Sequence, residues 1–308
     1  MIDILMATYN GEKYIIDQIE SILNQTYTDW LLYIKDDCST DNTLKIITEY
    51  ENRYKEKIKV IESEIPSGLA KNNFFSMLSL STNNYIMFCD QDDVWLPDKI
   101  EVTINKMNEA EQCSEKKVPM IAHTDLKVVD KDLKIINNSL FKMQNFDHKR
   151  DKLNNLLVQN IVTGCTMMIN KELLQYVKDT PKCAVMHDWW FALLASALGK
   201  IIFVDKSTML YRQHEENSVG AKDVRSIRYI FLILKRMGMI KKSLEYTYLQ
   251  ANEILSVIGC NIDIFNFNII NQYQSLYKSN KLSKLKIIFK YRLWKKGFVK
   301  AIGQIIFC

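Results

Sequence analysis

At 308 residues the chain is long enough for one large domain with appendages, or for two small domains. Its 47% hydrophobic and 25% charged residues are those of a globular protein, and 9 glycines and 4 prolines exclude a collagen-like or linker-rich chain. The net charge of +5 is unevenly spread: Ile264 to Cys308 holds nine Lys and Arg and no Asp or Glu, so that stretch is +9 and residues 1–263 carry −4.

The apolar run "IDILMATY" (2–9) stops at Asn-Gly, the pattern of a buried strand. Ile15, Ile19, Ile22 and Leu23 recur at helical spacing and predict a helix over 12–26. A strand is predicted at 30–36, a helix at 39–54 with Ser39 or Thr40 as its cap, a strand at 58–63, a helix at 69–81 and a strand at 84–90. Alternation with short connections predicts an α/β fold, a mostly parallel sheet with helices on both faces. In such sheets ligands bind at the carboxyl ends of the strands. Further on, 119–130 and 161–170 read as strands, 188–199 as a buried helix, and 200–214 as a hairpin or two short strands. From Val224 the pattern is helical. The composition shifts after "NSVGA", which predicts a domain over 1–220 and a helical, basic extension over 221–308.

Seven cysteines form no CxxC pair and no metal-ligand spacing, so they read as reduced thiols and point to the cytoplasm. The first residues carry no basic n-region, which argues against a signal peptide, and no run approaches the ~20 apolar residues of a membrane span. The chain is expected to be made and kept inside the cell.

Polar or acidic clusters fall at three predicted strand ends: Thr8 to Asn10, Asp36 to Ser39, and Asp90 to Asp93. In "CDQDDVWLPDK" (89–99) three carboxylates crowd into four residues. The plain alternative is a solvated acidic turn capping the next helix through Asp93 or Asp98. A divalent cation would instead make the crowding tolerable, since Mg²⁺ and Mn²⁺ take oxygen ligands and bridge carboxylates to substrate phosphates. In "KDDCSTDNT" (35–43) the choice is between a helix cap and a carboxylate that accepts the imide N–H of uracil or thymine. "MHDWW" (186–190) sets Asp188 beside aromatic rings, as a cap or as a general base with a raised pKa. His187 is a second candidate base. "YRQH" (211–214) offers Arg212 and His214, side chains suited to a diphosphate and a metal, or to a surface strand end.

Together "MATYNGEKYIIDQIESILNQT", "DDCSTDNT", "YIMFCDQDDVWLPDK", "HDWW" and "YRQHEENSVG" resemble the family 2 inverting glycosyltransferases, across roughly residues 1–220 and in the family's order. The resemblance implies the GT-A nucleotide-diphospho-sugar transferase fold. "TDLKVVD", "VTGCTMMIN", "HDWW" and "LYRQHEENSVGA" are similar, more narrowly, to bacterial rhamnosyltransferases of cell-wall and capsular polysaccharide synthesis. That implies dTDP-β-L-rhamnose as donor and a lipid-carried glycan as acceptor. Carried over by residue, Ala7, Thr8 and Tyr9 would line the nucleoside pocket and Asp37 would bind the base imide. Asp90 and Asp92 would form the DXD-type site for Mg²⁺ or Mn²⁺ and diphosphate, with Asp92 the direct ligand. Asp188 would be the base, and Arg212 and His214 would close over the diphosphate, His214 toward the metal. Many relatives have glycine where this chain has Cys38, so that turn is expected to differ.

Two other readings stay open at this point: the same chemistry with a UDP-hexose donor, and a non-catalytic sugar-nucleotide-binding subunit of a polysaccharide complex. A nucleic-acid partner is disfavoured, because outside the tail the chain is net acidic and no recognition motif occurs. The tail from about Leu276, with Leu285, Ile287, Phe289, Leu293 and Trp294 among its lysines, is expected to lie on the inner membrane surface, where the acceptor lipid resides. Its alternative is an amphipathic helix packed on the catalytic domain.

Overall fold

The computed structural model describes residues 1–177, 179–215 and 237–307. The chain divides into two compact units. One comprises Met1–Leu140, Thr163–Thr180 and Ile202–Gly220; the other comprises Phe141–Val162, Pro181–Ile201 and Ala221–Cys308. The boundary expected near residue 220 lies outside the described residues.

The first unit is built on a nine-stranded sheet among the described residues, in the order β3-β2-β1-β4-β8-β6-β9-β5, with β7 paired to β6. Its first four neighbours are parallel: β3 (Ile58–Glu62), β2 (Trp30–Asp36), β1 (Ile2–Thr8) and β4 (Tyr85–Cys89). β1 lies between two parallel partners, which explains why it is apolar apart from Asp3 and Thr8; only Ala7 is less than fully buried. Its register pairs Thr8 with Asp36 and Met6 with Cys89, so the loops leaving β1, β2 and β4 emerge at one edge. At the opposite end Asp3 is buried, and its carboxylate accepts from Ser81 Oγ, the Thr82 and Asn83 amides and Asn83 Nδ2 at 2.6–3.1 Å.

The rest of the sheet departs from the expected parallel pattern. β8 (Met167–Asn170) runs antiparallel to β4 and to β6 (Met120–Val129). β7 (Ile135–Asn137) is antiparallel to β6, and the short β5 (Val94–Trp95) to β9 (Lys200–Arg212). The segment expected as a hairpin is one continuous strand, β9. Its polar middle is satisfied sideways rather than by a turn: Lys206 pairs with Asp98, and Ser207 Oγ donates to Asn138 O at 3.0 Å. The strand expected at 161–170 begins late, because Gly164–Thr166 forms a 3₁₀ turn.

Helices α1 (Ile15–Leu23), α2 (Thr43–Arg53), α3 (Ala70–Met77) and α4 (Lys99–Gln112) connect the strands. Ile15, Ile19 and Ile22 of α1 are buried, as their spacing predicts. Neither Ser39 nor Thr40 caps α2; the N-cap is Asn42, and Asp41 takes the Thr43 amide instead.

The second unit is helical. It contains α6 (Leu153–Leu156), α8 (His187–Leu198), α9 (Met237–Ile258), α10 (Ile264–Ser275), α11 (Lys281–Tyr291) and α12 (Phe298–Phe307). Two short helices, α5 (Leu140–Gln144) and α7 (Lys171–Leu174), complete the set described. α8 buries Trp190, Phe191, Leu193 and Leu194, so its core face is nearly all round. Asp263 caps α10 by accepting the Phe265 and Asn266 amides, Asn280 caps α11, and Arg292 ends α11 in a left-handed conformation at φ 53°. No described helix is long and apolar enough to cross a membrane.

Candidate active site

Three loops meet at the carboxyl edge of β1, β2 and β4. Thr8 and Asp36, opposite in register, are joined by Thr8 Oγ1 donating to Asp36 Oδ1 at 3.0 Å. Ser39 adds its hydroxyl at 2.6 Å and its amide at 2.8 Å to the same carboxylate. Asp37 donates its amide to Thr8 O at 2.9 Å, and its carboxylate accepts the Ser67 amide at 2.6 Å and hydroxyl at 2.9 Å. Each oxygen retains lone-pair capacity, so an imide N–H is a chemically suitable further donor. Cys38 sits between these contacts at φ 63°, a region that favours glycine, and its thiol meets Ser63 O at 3.0 Å. Asp41 closes the loop on the Glu12 amide and on Thr43. Burial acts to raise the Asp41 pKa, but these hydrogen bonds outweigh it and hold the carboxyl below the usual range. Tyr9 is 56% exposed at the edge and Ala7 half-buried beneath it.

The loop after β4 has a different character. Asp92 Oδ2 lies 2.7 Å from His214 Nε2, with both side chains largely buried. Asp93 is fully buried; its Oδ1 accepts the Arg212 amide at 3.0 Å, whereas Oδ2 has no hydrogen-bond partner. Burial first, then the Asp92 and Asp90 carboxylates, drive the Asp93 pKa well up. Among the described residues, ligand atoms of Asp90, Asp93 and Cys165 lie within 4.8 Å of one another. Burial pushes the Cys165 thiol up, so it offers no thiolate, and the useful donors are oxygens. Mutually repelling carboxylates and the unpartnered buried oxygen of Asp93 fit a Mg²⁺ or Mn²⁺ ion, with Asp90 and Asp93 as the clustered oxygen donors.

Arg212 is a buried strut. Its Nε donates to Asp92 O at 2.9 Å, Nη1 to Lys131 O at 2.9 Å, and Nη2 pairs with Asp17 at 2.8 Å, with the guanidinium 4.5 Å from the centre of the Tyr14 ring. Beneath the loop lies Lys99, fully buried, donating to Cys165 O at 2.8 Å and 4.7 Å from the Trp95 ring centre. Burial lowers its pKa to about 8. The expected cap from Asp93 or Asp98 is not made: Asp98 occupies the N-cap position of α4 without a side-chain bond to it.

Of the residues singled out from sequence, Thr8, Tyr9, Asp37, Asp90, Asp92, Arg212 and His214 all belong to the first unit and to this edge. Asp93 was foreseen there as part of the acidic cluster, whereas roles for Lys99, Asp17 and Gln91 were not. Asp188 belongs to the second unit, in the first turn of α8, half-buried. The N-cap is Met186, so Asp188 is not the cap; its Oδ1 accepts the next amide, that of Trp189. Trp189 Nε1 donates to Leu156 O at 2.6 Å, and Trp190 is buried, so both indoles serve the core. Burial takes His187 down to about 3, leaving it neutral.

Residues 3–178 match the family Glycosyl transferase family 2. The chain is 33% identical over 249 residues to the dTDP-rhamnosyl transferase RfbG of Shigella flexneri, covering 77% of this chain and 79% of that one. It is 29% identical over 175 residues to the UDP-Glc:alpha-D-GlcNAc-diphosphoundecaprenol beta-1,3-glucosyltransferase WfgD of Escherichia coli, covering 56% of this chain and 62% of that one. Among solved structures it is similar to Staphylococcus aureus TarS 1-349 in complex with UDP-GlcNAc, at a TM-score of 0.60 and 19% identity, over 94% of this chain and 72% of that one. It also resembles the mannosyltransferase PcManGT of Pyrobaculum calidifontis, in complex with GDP-Man and Mn²⁺, at a TM-score of 0.52 and 12% identity, over 94% of this chain and 84% of that one. A family match over more than half its length and a relative one-third identical across three quarters of it show that the chain belongs to glycosyl transferase family 2, as a glycosyltransferase of GT-A fold.

Proposed function

We propose that the chain transfers L-rhamnose from dTDP-β-L-rhamnose to a hydroxyl of a lipid-linked glycan in bacterial polysaccharide synthesis, with inversion at the anomeric carbon. The observation that carries the donor assignment is the 33% identity with a dTDP-rhamnosyl transferase across 77% of the chain. A UDP-hexose donor is the second reading, favoured by the likeness to a UDP-glucose enzyme and to a UDP-GlcNAc complex.

In this reading Ala7, Thr8 and Tyr9 line the nucleoside pocket, and Asp37 accepts the base imide through the lone pairs that Ser67 leaves. Asp90, Asp92 and His214 hold the cation, and Arg212 fixes the loop that carries them while adding positive charge to the diphosphate edge. The bound cation supplies neutralisation of the charge that builds on the leaving diphosphate. Asp188 takes the proton from the acceptor hydroxyl, whose oxygen attacks the anomeric carbon from the face opposite the diphosphate. No covalent enzyme intermediate is required. Residues 1–220 would form the catalytic domain and 221–308 the extension.

The extension would work at the inner membrane surface, where a lipid-linked acceptor stays. Support comes from exposed Leu282 and Phe289, one heptad apart on α11, beside exposed Lys281, Lys286 and Lys290. Lys295 and Lys300 are half-buried instead, and burial pushes both ammonium groups down, Lys295 to about 8.

Incubation with dTDP-rhamnose, UDP-glucose and UDP-GlcNAc, with and without EDTA, tests the reading by nucleotide diphosphate release. Release from dTDP-rhamnose that EDTA abolishes is expected. Release from UDP-sugars alone overturns the donor, and EDTA-resistant release overturns the metal.

A further inference from the structure

The second letter of the acidic motif is not a spacer. Gln91 reaches back across the edge of the sheet to the loop that leaves β1. Its Oε1 accepts the Tyr9 amide at 2.8 Å, and its Nε2 donates to the Tyr9 carbonyl at 2.9 Å. The side-chain amide thus pairs with one residue's backbone at both of its polar groups, as a neighbouring strand would. The pairing joins positions 82 residues apart in sequence. It is also the reason for a glycine. A Cβ on Gly11 would stand 2.4 Å from Gln91 Oε1 and 2.6 Å from its Cδ, closer than real contacts allow, although Gly11 itself has an ordinary backbone conformation. Gly11 leaves the room in which the Gln91 amide lies.

On the reading above, Tyr9 and its neighbours face the nucleoside, whereas Asp90 and Asp92 serve the diphosphate and its cation. Those groups sit on separate loops, and a donor must meet both at a fixed separation. We propose that Gln91 is a positioning residue that locks the nucleoside-binding loop to the diphosphate-binding loop, with Gly11 as its seat. The clamp presents both halves of the donor site preassembled, so donor binding spends little on ordering them. This inference rests on the donor site proposed above.

Without the clamp the two loops must be ordered as the donor binds, a cost expected to weaken donor binding roughly tenfold. Gln91→Met keeps the side chain's length without its polar atoms. The expected result is a donor KM raised roughly tenfold with kcat within about twofold, since the reacting groups are untouched. Gly11→Ala should raise KM similarly by evicting the amide. In a Gln91→Ala background the same Gly11→Ala change should add almost nothing, because the added methyl then has space. Calorimetric titration of each variant with the nucleoside diphosphate and Mn²⁺ gives the same comparison without an acceptor. Multiplying effects in the double variant, or a Gln91→Met chain with unaltered KM, overturn the clamp. A fall in melting temperature with unaltered KM also overturns it, showing a merely structural contact. If the unsubstituted chain binds no nucleoside diphosphate, the donor site itself is refuted and the clamp with it, an outcome distinct from the others.

Discussion

Two acidic clusters lie at the same edge of the sheet and are held on opposite terms. Asp36, Asp37 and Asp41 follow β2, and their carboxylates are held by neutral donors: Thr8, Ser39, Ser67, Thr43 and the Glu12 amide. Asp90, Asp92 and Asp93 follow β4 and crowd one another, with His214, Arg212 and the buried Lys99 as the positive or polar groups nearby. Equal residue types therefore do unequal things. Asp36 and Asp41 have their hydrogen bonds made and act as scaffold, whereas Asp37 keeps lone pairs that on the proposed reading take the base imide. In the second cluster Asp93 Oδ2 has no hydrogen-bond partner, and a cation with a diphosphate would balance the crowded carboxylates.

The largest expected effect falls on neither cluster. Asp188→Asn should lower turnover by ~10²–10⁴-fold while donor affinity persists, because a base acts on the acceptor. Near-normal turnover, or lost donor binding, would overturn Asp188 as the base. Within the second cluster, Asp92→Asn should cost roughly 10²–10³-fold in kcat and abolish Mn²⁺ stimulation with the melting temperature preserved. Activity that stays metal-dependent and full would place Asp92 with the scaffold carboxylates.

Lys99 sharpens the contrast through pH. The unfolded chain keeps this lysine protonated to about 10.5, whereas burial in the folded chain brings its pKa to about 8. Between those values the unfolded state binds more protons, so the native chain should gain stability as pH rises. Relative to Lys99→Met the gain is on the order of 3 kcal/mol across that window, read from denaturant midpoints at pH 7.5 and 10. Parallel curves for the two chains would remove Lys99 from the account.

The scaffold cluster should respond in stability rather than chemistry. Asp36→Asn sets an amide against the Ser39 donors and should cost about 1–3 kcal/mol with kcat within a few-fold. A collapse of kcat at unchanged stability would make Asp36 a functional carboxylate. The smallest effect is expected at Cys38→Gly, which relieves a left-handed backbone and should stabilise by up to about 1 kcal/mol, visible as a melting temperature a few degrees higher. A lower melting temperature would mean that the thiol contact to Ser63 O outweighs the backbone term.

Much of this was legible because it is local. β1, β2 and β4 announce themselves as apolar runs, and the parallel register that brings Asp36 and Asp90 to one edge follows from alternation with helices. What escaped depends on distant partners. β9 reads as a hairpin or two short strands, since Asp205, Lys206 and Ser207 interrupt its apolar residues; only the neighbours Asp98 and Asn138 reveal one strand. Gln91 and Asp17 give no sign in sequence of the Tyr9 backbone or of Arg212, which they meet 82 and 195 residues away. Lys99 is only the last letter of the acidic motif in sequence, and its burial is a property of packing alone. The order of the motifs betrayed the site; its wiring did not.

Arg212 has a consequence for how the chain is made. The carbonyl of Asp92 and one oxygen of Asp93 are each bonded from a residue about 120 positions further on. The four parallel strands are complete by Cys89 and need nothing beyond it for their mutual pairing. During synthesis they are free to assemble on the ribosome while the acidic loop waits for Arg212 to emerge, roughly 6–24 seconds later at ~5–20 residues per second. The scaffold therefore precedes the chemistry in time, and a nascent chain holds an ordered sheet before it has an organised acidic loop.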